Sequence, residues 1–147
     1  MSEVSKICIT NKSAEEMQEV NTVEVIASKG IVNDRYFNEN NDQALQITLI
    51  ESENIDYYNN KFKTSYSYID FRRNVVTQGI QLQELVGKKL LIGNVEVQGH
   101  DLCRPCKHLE ETLKGQDIIK EFLRRGGLRC EIIKSGNVNI GDEIKVV

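Results

Sequence analysis

The sequence predicts a mainly β fold, a barrel or a sandwich, with a few short helices. Short runs of β-branched and other apolar residues recur along the chain. They do not alternate regularly with helical segments, as the strands of a parallel α/β sheet would. A single proline in 147 residues leaves ten glycines, together with Asn and Asp, to make many tight turns. Many short strands joined by such turns are typical of barrels and sandwiches.

Six segments are predicted to be strands because β-favouring residues dominate them: 6–10, 22–28, 45–50, 88–99, 128–134 and 143–147. The segment 88–99 is predicted to be a hairpin that turns at Gly93 and Asn94, since both residue types tolerate a positive φ. A second turn is predicted within 135–142, ahead of the last strand.

Two further segments have helical periodicity. In 51–62, Ile55, Tyr58 and Phe62 recur at helical spacing after an acidic start. In 116–127, apolar residues form one stripe, and Gly126 provides a stop. No repeat, low-complexity tract or linker divides the chain, so a single domain is predicted over residues 1–147.

Composition and charge exclude several classes of protein. The net charge is −3, and this mild acidity gives no reason to expect a nucleic-acid partner, which usually needs a basic face. The apolar runs are far shorter than the ~20 residues that cross a bilayer. The start of the chain, MSEVSKICIT, lacks the basic-then-apolar layout of a signal peptide, so a cytoplasmic location is expected. In a reducing compartment, the four cysteines are expected to be free, ligating or catalytic rather than paired.

The segment DLCRPCKHLE, residues 101–110, contains a C-x-x-C pair, Cys103 and Cys106. A thioredoxin-type dithiol is disfavoured because the pair comes late in the chain and no second proline exists to face it. His100 and His108 complete a four-residue zinc set, but structural zinc sites usually join two ligand pairs across a longer loop. Alternatively, the cysteines are small core residues beside a turn.

Local charge favours a functional role for Cys106. Arg104 and Lys107 flank it, and nearby cations stabilise a thiolate. A thiolate binds a soft metal or carries sulfur.

Two other segments carry candidate binding residues. The segment FRRNVVTQGI, residues 71–80, combines two arginines with Asn and Thr, which suits a phosphate or a polar ring, although an exposed basic turn would look the same. In KGIVNDRYF, residues 29–37, the pair Asp34 and Arg35 is interpreted, taken alone, as an internal salt bridge.

Taken together, these segments resemble the MOSC family, named after the C-terminal domain of molybdenum-cofactor sulfurase. The resemblance covers residues from about 20 to 147. It comprises the Asp-Arg-Tyr after a glycine turn, ITLIESENI, RRNVVTQGI, LQELVGKKLLIG, the Pro-Cys ending at Cys106, and GNVNIGD. One departure is Asn33, where many members carry glycine; Asn also tolerates positive φ.

The resemblance implies a β-barrel-centred fold and a molybdenum-pterin cofactor. Cys106 would bind the molybdenum or carry sulfur, and Cys103 would be either a resolving thiol or a core residue. The implied phosphate and pterin contacts are Arg73, Asn74, Thr77, Arg35 and Arg104.

Two functional classes remain open, with a structural zinc domain as a third. One is a reductase of N-hydroxylated compounds that takes electrons from a separate redox partner. The other is a non-catalytic sulfur carrier or binding domain supplied by a cysteine desulfurase.

Overall fold

The computed structural model describes residues 2–12, 16–105 and 107–147, and only the backbone of His108. Within these ranges, eleven strands and three short α-helices confirm the prediction of a mainly β fold. The strands are β1 (Glu3–Ile9), β2 (Gln18–Val20), β3 (Thr22–Ile26), β4 (Gly30–Ile31), β5 (Ile47–Glu51), β6 (Val75–Gln78), β7 (Lys89–Ile92), β8 (Val95–Leu102), β9 (Leu128–Lys134), β10 (Gly136–Asn139) and β11 (Ile144–Val146). The helices are α1 (Ser52–Phe62), α2 (Lys107–Leu113) and α3 (Ile118–Phe122). None of the described helices is long and apolar enough to cross a membrane.

The strands form two sheets, and the expectation of a barrel is wrong in one respect. Eight strands pair in the order β11-β7-β8-β9-β5-β6-β1-β2, and a smaller sheet has the order β10-β3-β4. Among the described residues, these sheets are not closed into a barrel. β2 pairs with β1 at Ile7–Ile9, and the end of the chain meets the start of β1 through an isolated bridge between Glu3 and Glu143 and a few backbone hydrogen bonds, without a regular strand ladder.

Most predicted elements are confirmed, with shifted ends. The hairpin of β7 and β8 turns at Gly93 and Asn94 as predicted, and β9 has the predicted bounds. The second predicted helix is shorter than its sequence pattern, ending at Phe122. Two segments interpreted as loops or turns contain the strands β6 and β10. The sequence did not predict these strands because each is too short to show an alternating pattern.

Strand β6 lies at the centre of the large sheet. It runs parallel to β5, pairing Leu49 with Val75, and antiparallel to β1. Parallel neighbours need a crossover connection, and α1 provides it. The helix ends at Phe62 and is capped by Lys63, which is in a left-handed conformation and donates its backbone N–H to the Asn59 carbonyl.

Two apolar clusters lie on opposite faces of the β5–β6 region. Alternation places Leu49 and Val75 in a large cluster shared by both sheets. Their neighbours Ile50 and Val76 join a second cluster with the helices and their aromatic residues. The second cluster contains Ile55, Tyr58, Phe71, Leu109, Ile118 and Phe122. The predicted site residues Arg73 and Asn74 therefore lie between Phe71 and Val75, whose side chains are buried in the two clusters.

Candidate functional site

A cleft of about 480 Å³ opens beside the segment that precedes β6. We call it the Arg72 cleft; its lining is Glu16, Met17, Tyr66, Ile69, Asp70, Arg72, Thr112 and Leu113. The turn that forms its floor is held by hydrogen bonds from Ser67 N to Asp70 Oδ2 and from Arg72 N to the Ile69 carbonyl. Phe71 is buried against Phe122, with ring centroids 4.5 Å apart. Arg72 follows with a φ of 64°, which turns the chain from this buried anchor towards β6.

A second guanidinium, that of Arg35, lies next to the backbone of Arg72. The side chain of Arg35 is only 6% exposed, and its Nη2 donates to the Arg72 carbonyl oxygen at 3.1 Å. Its Nη1 lies 3.3 Å from Met17 Sδ and 3.4 Å from Asp34 Oδ1, and its guanidinium stacks on Tyr36 at 4.4 Å. The Asp34–Arg35 pair is therefore an internal salt bridge, as its sequence predicts, and it also places a cation next to the cleft.

The proximity of the two guanidiniums affects Arg72. Burial, and then the positive charge of Arg35, lower the pKa of Arg72 below its ordinary value. A partly buried cation beside a like charge is stabilised by a nearby anion. An oxyanion also offers two oxygens to the planar guanidinium fork. Arg72 therefore gives the cleft a cation that suits a phosphate or another oxyanion, while the carboxylates of Glu16 and Asp70 line the same cleft.

Two tyrosines fix the opposite wall of the cleft. The Tyr66 hydroxyl donates to the Leu113 carbonyl at 2.6 Å, and the Tyr58 hydroxyl donates to the Gln116 carbonyl at 2.5 Å. Gly115 lies between these two carbonyls in the sequence. A Cβ added there would fall 2.6 Å from the Tyr58 hydroxyl oxygen and 2.7 Å from the Tyr66 hydroxyl oxygen. The end of α2 is thus held against α1 by a close contact that needs a glycine.

Arg73 points away from this cleft and towards Cys103. Its Nε donates to the Gly126 carbonyl at 2.9 Å. Cys103 is 2% exposed, and its backbone N–H donates to the Gly127 carbonyl at 2.7 Å. Burial raises the pKa of the Cys103 thiol, although Arg73 and Arg129 partly oppose the shift. Cys103 is thus a buried residue in this structure, and its role as a resolving thiol stays a prediction.

The remaining described cysteines are also interior. Cys8 donates from Sγ to the Arg73 carbonyl at 2.9 Å, and burial raises the pKa of its thiol to about 12. Burial also raises the pKa of Cys130, which lies near Cys103. Burial therefore disfavours the thiolate form of both.

Asn74 and Thr77 are buried within the strand framework. The Asn74 amide oxygen accepts from the N–H and the hydroxyl of Thr48, at 3.2 Å and 3.1 Å. Its amide nitrogen donates to the Cys8 carbonyl at 3.3 Å. The Thr77 hydroxyl donates to the Ile50 carbonyl at 3.4 Å. Their cofactor contacts stay predictions, while their described role is to join β1, β5 and β6.

Cys106 lies outside the described residues, as does the side chain of His108, so the predicted thiolate and its metal contact stay predictions. His100 bonds through Nε2 to Glu131 Oε1 at 2.8 Å, which gives this member of the zinc set a protein partner. Among the described residues, no three His, Cys, Asp or Glu side chains converge as a metal site.

Arg104 lies on a different surface feature. Its side chain is 71% exposed, 3.7 Å from Asp101, and lines a smaller cleft with Leu102, Leu123 and Arg124. The structure therefore brings Arg35 and Arg72 together, directs Arg73 towards Cys103 and leaves Arg104 at a second opening. The sequence pattern missed Arg72 and Tyr66. The RRN doublet was a signal for Arg72, whereas nothing in the pattern distinguished Tyr66 from the other tyrosines.

Comparison with known proteins agrees with this architecture. The structure resembles the YuaD protein of Bacillus subtilis, with a TM-score of 0.84, 16% identity, and coverage of 99% of this chain and 96% of that one. It also resembles YiiM of Geobacillus stearothermophilus, with a TM-score of 0.80, 16% identity, and coverage of 100% and 75%. YiiM of Escherichia coli gives a TM-score of 0.73 at 18% identity, covering 100% and 70%. These likenesses establish the fold alone.

A comparison with curated proteins finds no match. The family model described as the MOSC domain matches residues 35–145, which is most of the chain and includes both arginine segments. This protein is a member of the MOSC family.

Proposed function

We propose that this protein binds a molybdenum-pterin cofactor, with the phosphate at the Arg72 cleft and Cys106 as the thiolate ligand of the metal. The observation that carries the proposal is a cleft of about 480 Å³ that is lined by Arg72, together with the buried guanidinium of Arg35, which binds the Arg72 carbonyl. Membership of a family associated with molybdenum-cofactor pathways supports it.

The donor set fits such a group. Arg72 offers the cleft a guanidinium fork, and buried Arg35 adds positive charge from behind. Tyr66 and Thr112 line the same cleft and present polar edges beside the apolar side chain of Leu113. A pterin phosphate needs this combination of an anion site and a partly apolar wall.

The protein's own residues would bind and orient the cofactor, while the molybdenum would supply two-electron redox chemistry at a soft sulfur ligand. Cys106 directly precedes α2, whose last residues form a wall of the cleft. Its sequence neighbours Arg104 and Lys107 are both exposed cations, which favour the thiolate form. Thr77 and Asn74 would support the site by holding β6 in place.

The proposal is tested by cofactor loading. The protein is expressed in a host that makes the cofactor, and molybdenum and pterin are measured in the purified sample. Near-equal amounts of the two are expected. Arg72→Gln is expected to lower both, Cys106→Ser to lower molybdenum, and Lys88→Gln, a change at an exposed lysine, to lower neither. If wild-type protein contains neither molybdenum nor pterin, the proposal fails.

The enzyme form of the proposal adds a reductase activity on N-hydroxylated compounds, with electrons from a separate partner. It predicts that loaded protein supports reduction when a chemical electron donor is supplied, and that Cys106→Ser abolishes it. Equal rates for the loaded wild type and the variant would exclude a reductase that acts through this cysteine.

The competing function is a sulfur carrier without redox catalysis. The interior position of Cys103 bears on it, because a buried thiol with a raised pKa resolves a persulfide poorly. A persulfide on Cys106 would therefore persist. Mass spectrometry after incubation with a cysteine desulfurase and free cysteine would detect one added sulfur on the peptide that contains Cys106. An unmodified thiol would contradict the carrier function.

A further inference from the structure

A second cleft, of about 250 Å³, lies between the end of β8 and the end of α3. We call it the leucine–arginine cleft, and its lining is Leu102, Arg104, Leu123 and Arg124. Two apolar side chains and two cations therefore share one concave surface outside the Arg72 cleft. Neither the strand framework nor the proposed cofactor contacts explain this combination.

Both walls of the cleft are rigidly supported. On one side, the buried residues Cys103 and Pro105 flank Arg104, so the chain directs Arg104 outwards. On the other side, Phe122 is buried, and Leu123 and Arg124 follow it on the surface.

The walls are also tied to one another. The Cys103 N–H donates to the Gly127 carbonyl, and an added Cβ on Gly126 would come within 2.5 Å of the Cys103 carbonyl oxygen. The cleft is thus preformed, which lowers the entropic cost of docking.

The apolar part of the cleft is accessible to water. Leu123 is 53% exposed, so much of its apolar surface is in contact with solvent. An apolar side chain from another molecule would bury Leu123 and the partly buried Leu102 together. Arginine is one of the residue types enriched in binding hot spots, and it supplies both cations of this cleft.

The charges of the cleft differ in sign from those of the whole chain. The net charge is −3, yet Arg104, Arg124 and the neighbouring Lys107 are exposed cations. Asp101 reaches Arg104 only at 3.7 Å and is itself half exposed, so this pair is weak. Arg124 pairs with no carboxylate among the described residues. Local positive charge around an apolar centre complements an acidic protein surface.

Neighbouring acidic residues do not cancel this charge. Glu121 is directed to Lys61, at 2.7 Å, and to Arg125, at 3.6 Å. Arg125 in turn stacks on Tyr57 with a distance of 4.2 Å to the ring centroid. This network lies on the α1 side of α3 and leaves Arg104 and Arg124 to the cleft.

We propose that the leucine–arginine cleft docks an acidic partner protein, which places one apolar side chain between Leu102 and Leu123 and flanking carboxylates on Arg104 and Arg124. Arg104 is two residues from Cys106 in the sequence, so their Cα atoms are at most about 7 Å apart. The inference rests on the proposed function only for what the partner would deliver, electrons or sulfur.

The test uses nuclear magnetic resonance of isotope-labelled protein titrated with a short peptide, a leucine flanked on each side by two glutamates. Saturable shifts are expected in the amides of residues 102–104 and 123–124, which weaken as salt is added. The same peptide with lysines in place of glutamates is expected to bind at least tenfold more weakly.

Matched variants locate the site. The double variant R104E/R124E is expected to weaken the acidic peptide at least tenfold, and Leu123→Ser to weaken it severalfold. K88E/K89E makes an equal change in net charge at two exposed lysines and is expected to retain binding. All these positions are exposed, so each variant's amide spectrum should otherwise match that of the wild type.

Several results would overturn the inference. They are the absence of saturable shifts at millimolar acidic peptide, equal binding of the lysine peptide, and shifts at these amides with a single-stranded oligonucleotide instead. Shifts that depend only on protein concentration would assign the cleft to self-association and would also overturn it. Cofactor loading is measured without any peptide, so failure of docking and failure of the proposed function are distinguishable.

Discussion

Replacing Asn74 with alanine is expected to destabilise the fold strongly while changing no surface of the Arg72 cleft. The side chain is buried, and its amide bonds to groups on both flanking segments, the Thr48 N–H and hydroxyl on one side and the Cys8 carbonyl on the other. Alanine removes every one of these bonds and supplies no replacement.

The magnitude follows from the groups left behind. Two backbone groups, the Thr48 N–H and the Cys8 carbonyl, would lose their Asn74 partner in the interior. Each buried group left unsatisfied costs about 1–3 kcal/mol, so the expected loss is about 2–6 kcal/mol. Thr48 Oγ1 still accepts from the backbone N–H of residue 74 at 3.0 Å and adds little. Set against a typical free energy of unfolding of about 5–15 kcal/mol, the loss is a large fraction.

The assay is urea unfolding followed by circular dichroism, with the slope of the transition compared between variants. Asn60→Ala makes the same chemical change at an exposed position of α1 and is expected to stay within about 0.5 kcal/mol of wild type. A loss below about 1 kcal/mol for Asn74→Ala would refute the assignment of Asn74 to the strand framework. Normal stability with lost cofactor loading would instead support the direct cofactor contact implied by the family resemblance.

Three further predictions concern stability. Tyr66→Phe, which removes the bond to the end of α2, is expected to cost about 1 kcal/mol in urea unfolding, more than Tyr68→Phe, whose hydroxyl bonds on the surface; equal costs would contradict it. Burial raises the pKa of Glu51, so its ionisation lowers stability as the pH rises past its ordinary range. The melting temperature of Glu51→Gln relative to wild type should therefore rise from about pH 4 to pH 7, and a constant difference would contradict this. Gly126→Ala places a Cβ 2.5 Å from the Cys103 carbonyl oxygen and is expected to lower the free energy of unfolding by about 1–3 kcal/mol. A free energy of unfolding within about 0.5 kcal/mol of wild type would contradict this expectation.

The fold was predictable where local pattern and burial agree. The hairpin at Gly93 and Asn94 needs only turn chemistry and two adjacent strands, so its sequence is sufficient. Strand β6 is different, because VVTQ is buried on both faces between β5 and β1 and shows no alternation. The incomplete closure of the sheets could not be predicted, since it depends on which strand occupies each edge of β1.

The site was predictable in composition but not in arrangement. The family resemblance implies Arg73 and Arg35 as anion partners, and in the structure Arg35 adjoins the segment that contains Arg73. Which arginine faces the cleft depends on the positive φ of Arg72, which no short pattern reveals. Thr77 carries a polar group that suits a ligand, and only the tertiary structure shows that this group serves the backbone of β5.

The short length of α2 has a thermodynamic consequence. A helix of seven residues is unstable alone, so α2 exists only because Leu109 packs into the second cluster and the tyrosine hydroxyls hold the chain near Gly115. Thr112 and Leu113 also belong to the wall of the Arg72 cleft. A ligand that contacts this wall binds the molecules in which α2 is ordered. By linkage, its binding therefore increases the fraction of molecules in which α2 is ordered. The start of α2 at Lys107 would then be more ordered when the cleft is occupied than when it is empty.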